Sequence, residues 1–222
     1  MTITDPILAD LGYVLETNRE VDLLHFYKSF PIICKARLLS LEDGRVQVLT
    51  QPPGSVCLVR ESSTTILSNR LLEAVKAEIV SFDIKTGIAN LGDFEYVGSR
   101  LGERMVARVE PKTLYDLKLE KEGLTLRGKL ADISISGMGV FVQSPNVKKG
   151  ELFTAHMALP EGEVTLEVKV LEVTPTPEFF RLAMKFKENV MDIGMVMRYI
   201  RHRRAEIFSE IQDLYNKALS EA

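Results

Sequence analysis

Asp132-Ile133-Ser134-Ile135-Ser136-Gly137-Met138-Gly139-Val140-Phe141 is the stretch that decides how this chain folds. Its polar and apolar residues alternate with the two-residue period of a β-strand, yet two glycines stand where a strand favours bulky side chains. In an extended chain Asp132, Ser134 and Ser136 would all project from one face, since alternate side chains point the same way. The segment is expected to be held against a core by four apolar residues, Leu130, Ile133, Ile135 and Val140.

The polar row is rich in hydrogen-bond acceptors, because it combines one carboxylate with two hydroxyl groups. Such a row suits a ligand that presents N–H donors. Gly137 and Gly139 permit a bulge or a positive φ, and they let a planar ligand approach the backbone closely. The alternative, on composition alone, is a solvated sheet face that ends in a glycine turn.

Three arginines recur upstream at four-residue intervals, Arg100, Arg104 and Arg108, in a segment between Gly98 and Pro111. A guanidinium group presents planar, paired donors that fit phosphate oxygens and the O6/N7 edge of guanine, and its face can stack on a base. The arginines therefore indicate recognition of a phosphate or a guanine.

An RxxxR run followed, after a strand-length gap, by DxSxxG resembles the PilZ domain, the bacterial receptor module for cyclic di-GMP. The first motif maps onto Arg104 and Arg108, and the second onto Asp132, Ser134 and Gly137. The order and spacing of the two motifs carry the resemblance, because either one alone occurs by chance in many chains. It covers residues 100–205, about half of the chain.

The register of the first motif stays open, because Arg100 and Arg104 also satisfy RxxxR. The Arg104/Arg108 register is preferred, since Arg108 leads straight into a predicted strand, as the second arginine of the family does. The acidic Glu103 leaves open whether one or two ligand molecules bind.

The resemblance implies a role for each residue of the ligand site. Arg104 and Arg108 would grip phosphate oxygens and the O6/N7 edge of a guanine, and Asp132 would accept hydrogen bonds from its N1–H and N2–H₂. Ser134 would add a hydroxyl contact, and Gly137 would keep the floor of the site clear. Three further residues complete the expected ligand-binding set: Arg100, Ser136 and Gly139.

Composition places the chain among ordinary globular proteins. The 222 residues are 45% hydrophobic and 27% charged, and the net charge of −3 argues against a general nucleic-acid binder. Two cysteines, Cys34 and Cys57, are too few for a disulfide framework or a zinc site, and their apolar neighbours predict buried free thiols. No signal-peptide pattern or membrane-length apolar run occurs, so a cytoplasmic setting without membrane insertion is expected.

The first half, residues 1–97, is predicted to be an N-terminal helix followed by a small antiparallel β domain. Asp5-Pro6 indicates the start of the helix, and a broken helical period extends to Tyr27, with Thr17-Asn18 as a possible interruption. The predicted strands are Ile32–Leu41, Arg45–Thr50, Val56–Arg60, Thr64–Leu67, Ala77–Asp83 and Gly87–Leu91. The layout is similar to the split-barrel domain that accompanies PilZ in flagellar-brake proteins, and Glu95–Gly102 is the expected linker.

The second half, residues 98–222, is predicted to be a six-stranded antiparallel barrel followed by a long helix. Its strands are expected at Leu114–Glu120, Leu124–Ile133, Gly139–Gln143, Leu152–Ala158, Val164–Thr174 and Phe180–Phe186. The helix is expected over Asp192–Ala218, with an apolar stripe that Arg204 interrupts. The fold class is thus mainly β, with two small barrels in tandem, and the overhanging helix is a candidate surface for a homodimer.

The function predicted from this organisation is that of a cyclic di-GMP receptor. Ligand binding would change the arrangement of the domains and so signal to a downstream protein partner, in motility, biofilm formation or a related process. One alternative is a PilZ-like scaffold that works without ligand. Another is a flavin-binding split-barrel enzyme, although the sequence shows no nucleophile–base pair and no metal cluster, and neither a cofactor nor a nucleic-acid polymer is expected.

Overall fold

The computed structural model describes residues 5–98, 107–143, 147–187 and 193–222. It confirms the predicted fold class: two closed, six-stranded antiparallel barrels, an N-terminal helix and a long C-terminal helix. The described residues form two compact units, one from residues 5–27, 31–98 and 207–222 and the other from 28–30 and 107–206. The domain boundary at residues 97 and 98 stays a prediction.

The first unit begins with helix α1 (Pro6–Thr17), where Asp5 caps the helix as predicted by accepting a hydrogen bond from the Ile7 amide at 2.9 Å. Six strands follow: β1 (Glu20–Tyr27), β2 (Phe30–Glu42), β3 (Arg45–Thr50), β4 (Ser63–Leu67), β5 (Ala74–Asp83) and β6 (Ile88–Val97). Their order is β1-β2-β3-β6-β5-β4, and β4 pairs with β1 to close the barrel.

Two secondary-structure predictions in this unit are wrong, one of a helix and one of a strand. Residues 20–27 form strand β1, because Arg19 has a φ of 62°, which a right-handed helix cannot continue. Val56–Arg60 was expected to be a strand, but a 3₁₀ turn (Gly54–Val56) runs into the short helix α2 (Cys57–Arg60). The predicted linker also starts later than expected, since β6 continues to Val97.

The second unit contains the strands β7 (Asp116–Lys121), β8 (Leu124–Ile133), β9 (Gly137–Val142), β10 (Leu152–Leu159), β11 (Gly162–Pro175) and β12 (Phe180–Phe186). Their order is β10-β11-β12-β9-β8-β7, and β7 pairs with β10 to close the second barrel. Each strand turns its apolar row inward. Leu166, Val168 and Val170 on β11, for example, are fully buried, while their neighbours along the strand are exposed.

Helix α3 (Ile193–Glu221) ends the chain. Its residues up to Glu206 belong to the second unit, and the rest belong to the first. Ile200, Ile207 and Ile211 of the predicted stripe are buried. The polar residue within the stripe is Arg203, which is 2% exposed, and not the predicted Arg204, which is exposed. Within the described segments, no helix combines the length and apolarity that crossing a membrane requires.

Candidate functional site

Residues 134–136 form a tight turn between β8 and β9 and are not part of an extended chain. The Ser134 amide and the Ser134 hydroxyl both donate to the Gly137 carbonyl oxygen, at 2.8 and 3.1 Å, and the Ser136 amide donates to Ser134 Oγ at 3.3 Å. Within this turn Ser134 is buried and Ser136 is exposed. Ile135 is 58% exposed at the tip, so the expectation that it packs in the core is wrong, as is the single polar face.

A β-bulge turns Asp132 toward the outer face of the barrel. The pairing of β8 with β9 shifts between Leu130 and Asp132, so that Asp132 lies opposite Gly139. Leu130 and Ile133 have opposite parity along the strand, yet both are fully buried, because Ala131 is the extra residue between them. The bulge thus keeps two apolar side chains inside and sends the carboxylate outward.

The carboxylate of Asp132 lies between two arginines. Arg181 Nη2 on β12 donates to its Oδ2 at 2.5 Å, and Arg108 Nη1 lies 3.6 Å from its Oδ1. The Asp132 side chain is only 7% exposed, and Oδ1 has no hydrogen-bond partner among the described residues. A buried acceptor without a donor is costly, so this atom is suited to receive N–H donors from a ligand.

Arg108 is held beside Asp132 through the backbone of the next residue. Val109 is fully buried and forms an isolated antiparallel bridge with Ile133. Glu110 is fixed as well, because its amide donates to the Lys28 carbonyl at 3.1 Å and its carbonyl accepts from Arg203 Nε at 2.8 Å. The end of the arginine segment is therefore anchored on residues of its own unit.

The motif glycine Gly137 and the neighbouring Gly139 make room for protein atoms. A Cβ at Gly137 would lie 2.2 Å from the Met184 carbonyl oxygen on β12. A Cβ at Gly139 would lie 2.5 Å from Asp132 Oδ2 and 2.7 Å from Arg181 Nη2. Gly137 thus permits close approach of two strands, and Gly139 leaves the space that the ion pair occupies.

The structure brings six of the predicted site residues into one corner of the second barrel: Arg108, Asp132, Ser134, Ser136, Gly137 and Gly139. Arg100 and Arg104 lie outside the described residues. Arg181 was not among the predicted site residues. The alternation of β12 predicts that its side chain points outward, since Leu182 and Met184 are apolar, but only the pairing with β9 brings it to Asp132.

The cysteines and the described acidic and histidine side chains do not form a metal-binding site. Cys34 and Cys57 are buried free thiols, as predicted, and burial raises the pKa of Cys34 to about 11 and that of Cys57 to about 12. Nowhere in the described part of the chain do three His, Cys, Asp or Glu residues come together in a way that could hold a metal ion.

Comparison with known proteins indicates the same domain family as the sequence resemblance. Residues 100–201, a little under half of the chain, match the family model of the PilZ domain. A curated relative, an uncharacterized protein of Aquifex aeolicus, is 23% identical over 147 residues, which span 66% of this chain and 70% of the relative.

Three solved structures are similar to the chain at low sequence identity. The Bacillus subtilis inhibitor of motility MotI (DgrA) is 14% identical, with 86% of this chain and 96% of that chain covered and a TM-score of 0.44. The apo form of K. pneumonia MrkH is 17% identical, with 92% and 96% covered and a TM-score of 0.43. Escherichia coli YcgR, in complex with c-di-GMP, is 17% identical, with 98% and 96% covered and a TM-score of 0.41.

Proposed function

We propose that this chain, whose residues 100–201 match the family model of the PilZ domain, is a cytoplasmic receptor for cyclic di-GMP. The observation that carries the proposal is the buried Oδ1 of Asp132, which has no hydrogen-bond donor among the described residues and lies 3.6 Å from the guanidinium of Arg108. An acceptor beside a cation matches a ligand that carries both N–H donors and negative charge. A guanine nucleotide has both.

Each side chain of the corner has a task in this proposal. Asp132 Oδ1 accepts from the guanine N1–H and N2–H₂, while Arg181 holds the other carboxylate oxygen. Arg108 grips a phosphate oxygen or the O6/N7 edge of the base, together with Arg104 or Arg100. Ser134, which is 1% exposed, keeps the turn closed through its hydroxyl, and the exposed Ser136 contributes its hydroxyl to the ligand. Gly137 and Gly139 keep the two strands and the ion pair in place.

The expected affinity is in the micromolar range. Charge-assisted hydrogen bonds contribute about 1.5–3 kcal/mol each. Four or five of them, less the cost of ordering the ligand and its contacts, leave a binding free energy of about −8 kcal/mol. The net charge of the chain is −3, so the attraction for the anionic ligand is local to this corner.

Calorimetric titration with cyclic di-GMP, GTP and cyclic di-AMP tests the proposal. We expect binding of cyclic di-GMP with at least tenfold preference over the other two, and a loss of most of the affinity in Arg108→Ala. Arg127→Ala, an exposed arginine on β8 of the same unit, is the matched control and should bind normally. Equal affinity in Arg108→Ala and the wild-type protein would remove Arg108 from the site.

We propose that ligand binding changes the arrangement of the domains and that a protein partner recognises this change. Arg100 and Arg104 stand in the segment that joins the two barrels, so a ligand that contacts them together with Asp132 would constrain the path of that segment. Small-angle scattering with and without cyclic di-GMP should show a change in the distance distribution. An identical distribution at saturating ligand would contradict the switch, while leaving binding itself intact.

A scaffold without a ligand is the second candidate. It is favoured by one observation, the 2.5 Å ion pair between Arg181 and Asp132, because that pair already neutralises the carboxylate. Such a protein would give no heat with cyclic di-GMP in the same titration. A homodimer through α3 stays a prediction for either function, and light scattering of the purified protein tests it.

A further inference from the structure

A pair of aromatic rings stands on the barrel face that carries the candidate site. Phe141 on β9 and Phe179, just before β12, have ring centroids 6.4 Å apart with an interplanar angle of 44°. Phe179 is 39% exposed and Phe141 is half-buried. Neither ring belongs to the inward row, because Val140, Val142 and Leu182 fill the barrel interior. The pair is therefore not explained by the core.

The strand pairing places this ring pair next to the ion pair of the site. Phe141 lies directly opposite Arg181, and Gly139, two residues earlier on the same face of β9, lies opposite Asp132. Residues two apart on a strand are separated by about 6.8 Å, and directly opposed side chains have Cβ atoms about 5 Å apart. The rings thus begin within about one base width of the Asp132 carboxylate.

Phe179 is held in place by its own loop. Its carbonyl oxygen accepts from the Thr176 amide at 2.8 Å and from the Thr176 hydroxyl at 2.7 Å, and its amide donates back to Thr176 Oγ1 at 3.1 Å. The backbone that carries the exposed ring is therefore ordered before any ligand arrives. A preorganised surface of this kind binds without paying the entropy of ordering.

The charges around the rings favour a nucleotide over an apolar ligand. Lys129 lies opposite Phe141 on the other side, so that ring stands between Lys129 and Arg181 on the neighbouring strands. Each of these cations also pairs with a carboxylate, Lys129 with Asp116 at 2.6 Å and Arg181 with Asp132 at 2.5 Å. Aromatic side chains framed by cationic groups are the usual platform for stacked bases, because the rings take the base and the cations attract the phosphates.

We propose that Phe179, backed by Phe141, is a stacking platform for a guanine base of the bound dinucleotide. The inference rests on the proposed function and assigns to that site a contact that reads the face of a base, in addition to the edge contact at Asp132. Stacking accepts any base, so the platform adds affinity while Asp132 and Arg108 supply the preference for guanine.

Calorimetric titration of Phe179→Ala with cyclic di-GMP tests the platform. Base stacking on an aromatic side chain predicts an affinity about 5- to 150-fold weaker than that of the wild-type protein. Phe26→Ala is the matched control, because Phe26 is 40% exposed on β1 of the other unit, and it should bind like wild type. Thermal unfolding of both variants checks that the barrels are intact.

A second variant gives a direct readout of stacking. The chain contains no tryptophan, so Phe179→Trp introduces a single indole at the platform. Its fluorescence should be quenched as cyclic di-GMP binds, with the same midpoint as the calorimetric titration, and its affinity should match or exceed that of the wild-type protein. Unchanged affinity in Phe179→Ala, or unchanged fluorescence at calorimetric saturation, would overturn the platform. No heat with the wild-type protein would instead overturn the proposed function, and the platform with it.

Discussion

Val109 and Ile133 exchange both of their backbone hydrogen bonds: the Val109 amide donates to the Ile133 carbonyl at 2.9 Å, and the Ile133 amide donates back at 3.0 Å. Each partner directly follows a residue of the candidate site, Arg108 in one case and Asp132 in the other. The bridge therefore sets the register between two motifs that are distant in the sequence.

Replacing Val109 by proline should separate these motifs. Proline has no amide hydrogen, so the bridge loses one bond and the ring crowds the second. We expect at least tenfold weaker binding of cyclic di-GMP by calorimetry, because Arg108 is no longer held beside Asp132. Val109→Ala keeps both bonds and should lose stability, about 2 kcal/mol, with little change in affinity. Equal affinities in the two variants would show that the bridge does not position Arg108.

The ion pair of Arg181 with Asp132 should contribute to stability as well as to the site. Arg181→Met leaves a carboxylate that is 7% exposed without its closest cation, and we expect a loss of about 1–3 kcal/mol in the free energy of unfolding. Asp132→Asn in the same chain should recover part of that loss, since the amide carries no charge. Urea unfolding of both single variants and the double variant gives the coupling energy. Strictly additive losses would mean that the two side chains do not interact.

Gly137 and Gly139 should respond differently to replacement by alanine. The Cβ of Gly137→Ala would meet a backbone oxygen of Met184 at 2.2 Å, so the strands must separate, with a cost of about 1–3 kcal/mol. The Cβ of Gly139→Ala would meet side-chain ends of Asp132 and Arg181, which can move away. We therefore expect the first variant to melt at a lower temperature, and the second to keep its stability better but bind ligand more weakly. The reverse pattern would contradict these roles.

The buried thiols predict a loss of stability at alkaline pH. Burial raises the pKa of Cys34 from 9.0 to about 11 and that of Cys57 to about 12, so the folded protein retains these protons to a higher pH than the unfolded chain does. Their contribution is complete below pH 9.0 and declines above it, by up to about 1.4 kcal/mol per pH unit for each thiol.

Urea unfolding between about pH 8 and pH 10, below most tyrosine ionisation, measures this slope. The double variant Cys34→Ala, Cys57→Ala should show a flatter dependence over the same range. A slope that is unchanged in the double variant would assign the alkaline loss to other groups.

Periodicity was enough to predict both barrels, because strands such as β12 alternate regularly and turn residues separate them. It failed where two patterns overlap. Residues 20–27 contain apolar residues at both strand and helix spacing. The possible interruption at Thr17-Asn18 marks where α1 ends, and the left-handed φ of Arg19 separates the two elements. The one-residue error between Arg203 and Arg204 has a similar origin, since neighbouring positions on a helix differ by only 100°.

The candidate site could be predicted only in part, because a sequence motif gives the spacing of residues but not the path of the backbone. The DxSxxG pattern indicated which residues meet, but the bonds that close the Ser134–Ser136 turn depend on the backbone path and not on residue spacing. Arg181 could not be assigned at all, because its partner is 49 positions away and the pairing register of β12 with β9 is not encoded in either strand alone.

The extra residue Ala131 also disfavours an alternative pairing register of β8 with β9. If β8 paired with β9 without the bulge, the side chains beyond Leu130 would exchange sides, and a carboxylate would enter the hydrocarbon interior while Ile133 faced water. Desolvating an unpaired charge makes that slipped arrangement uncompetitive. Asp132 therefore favours the correct pairing register of β8 with β9 in every molecule, whether or not a nucleotide is bound.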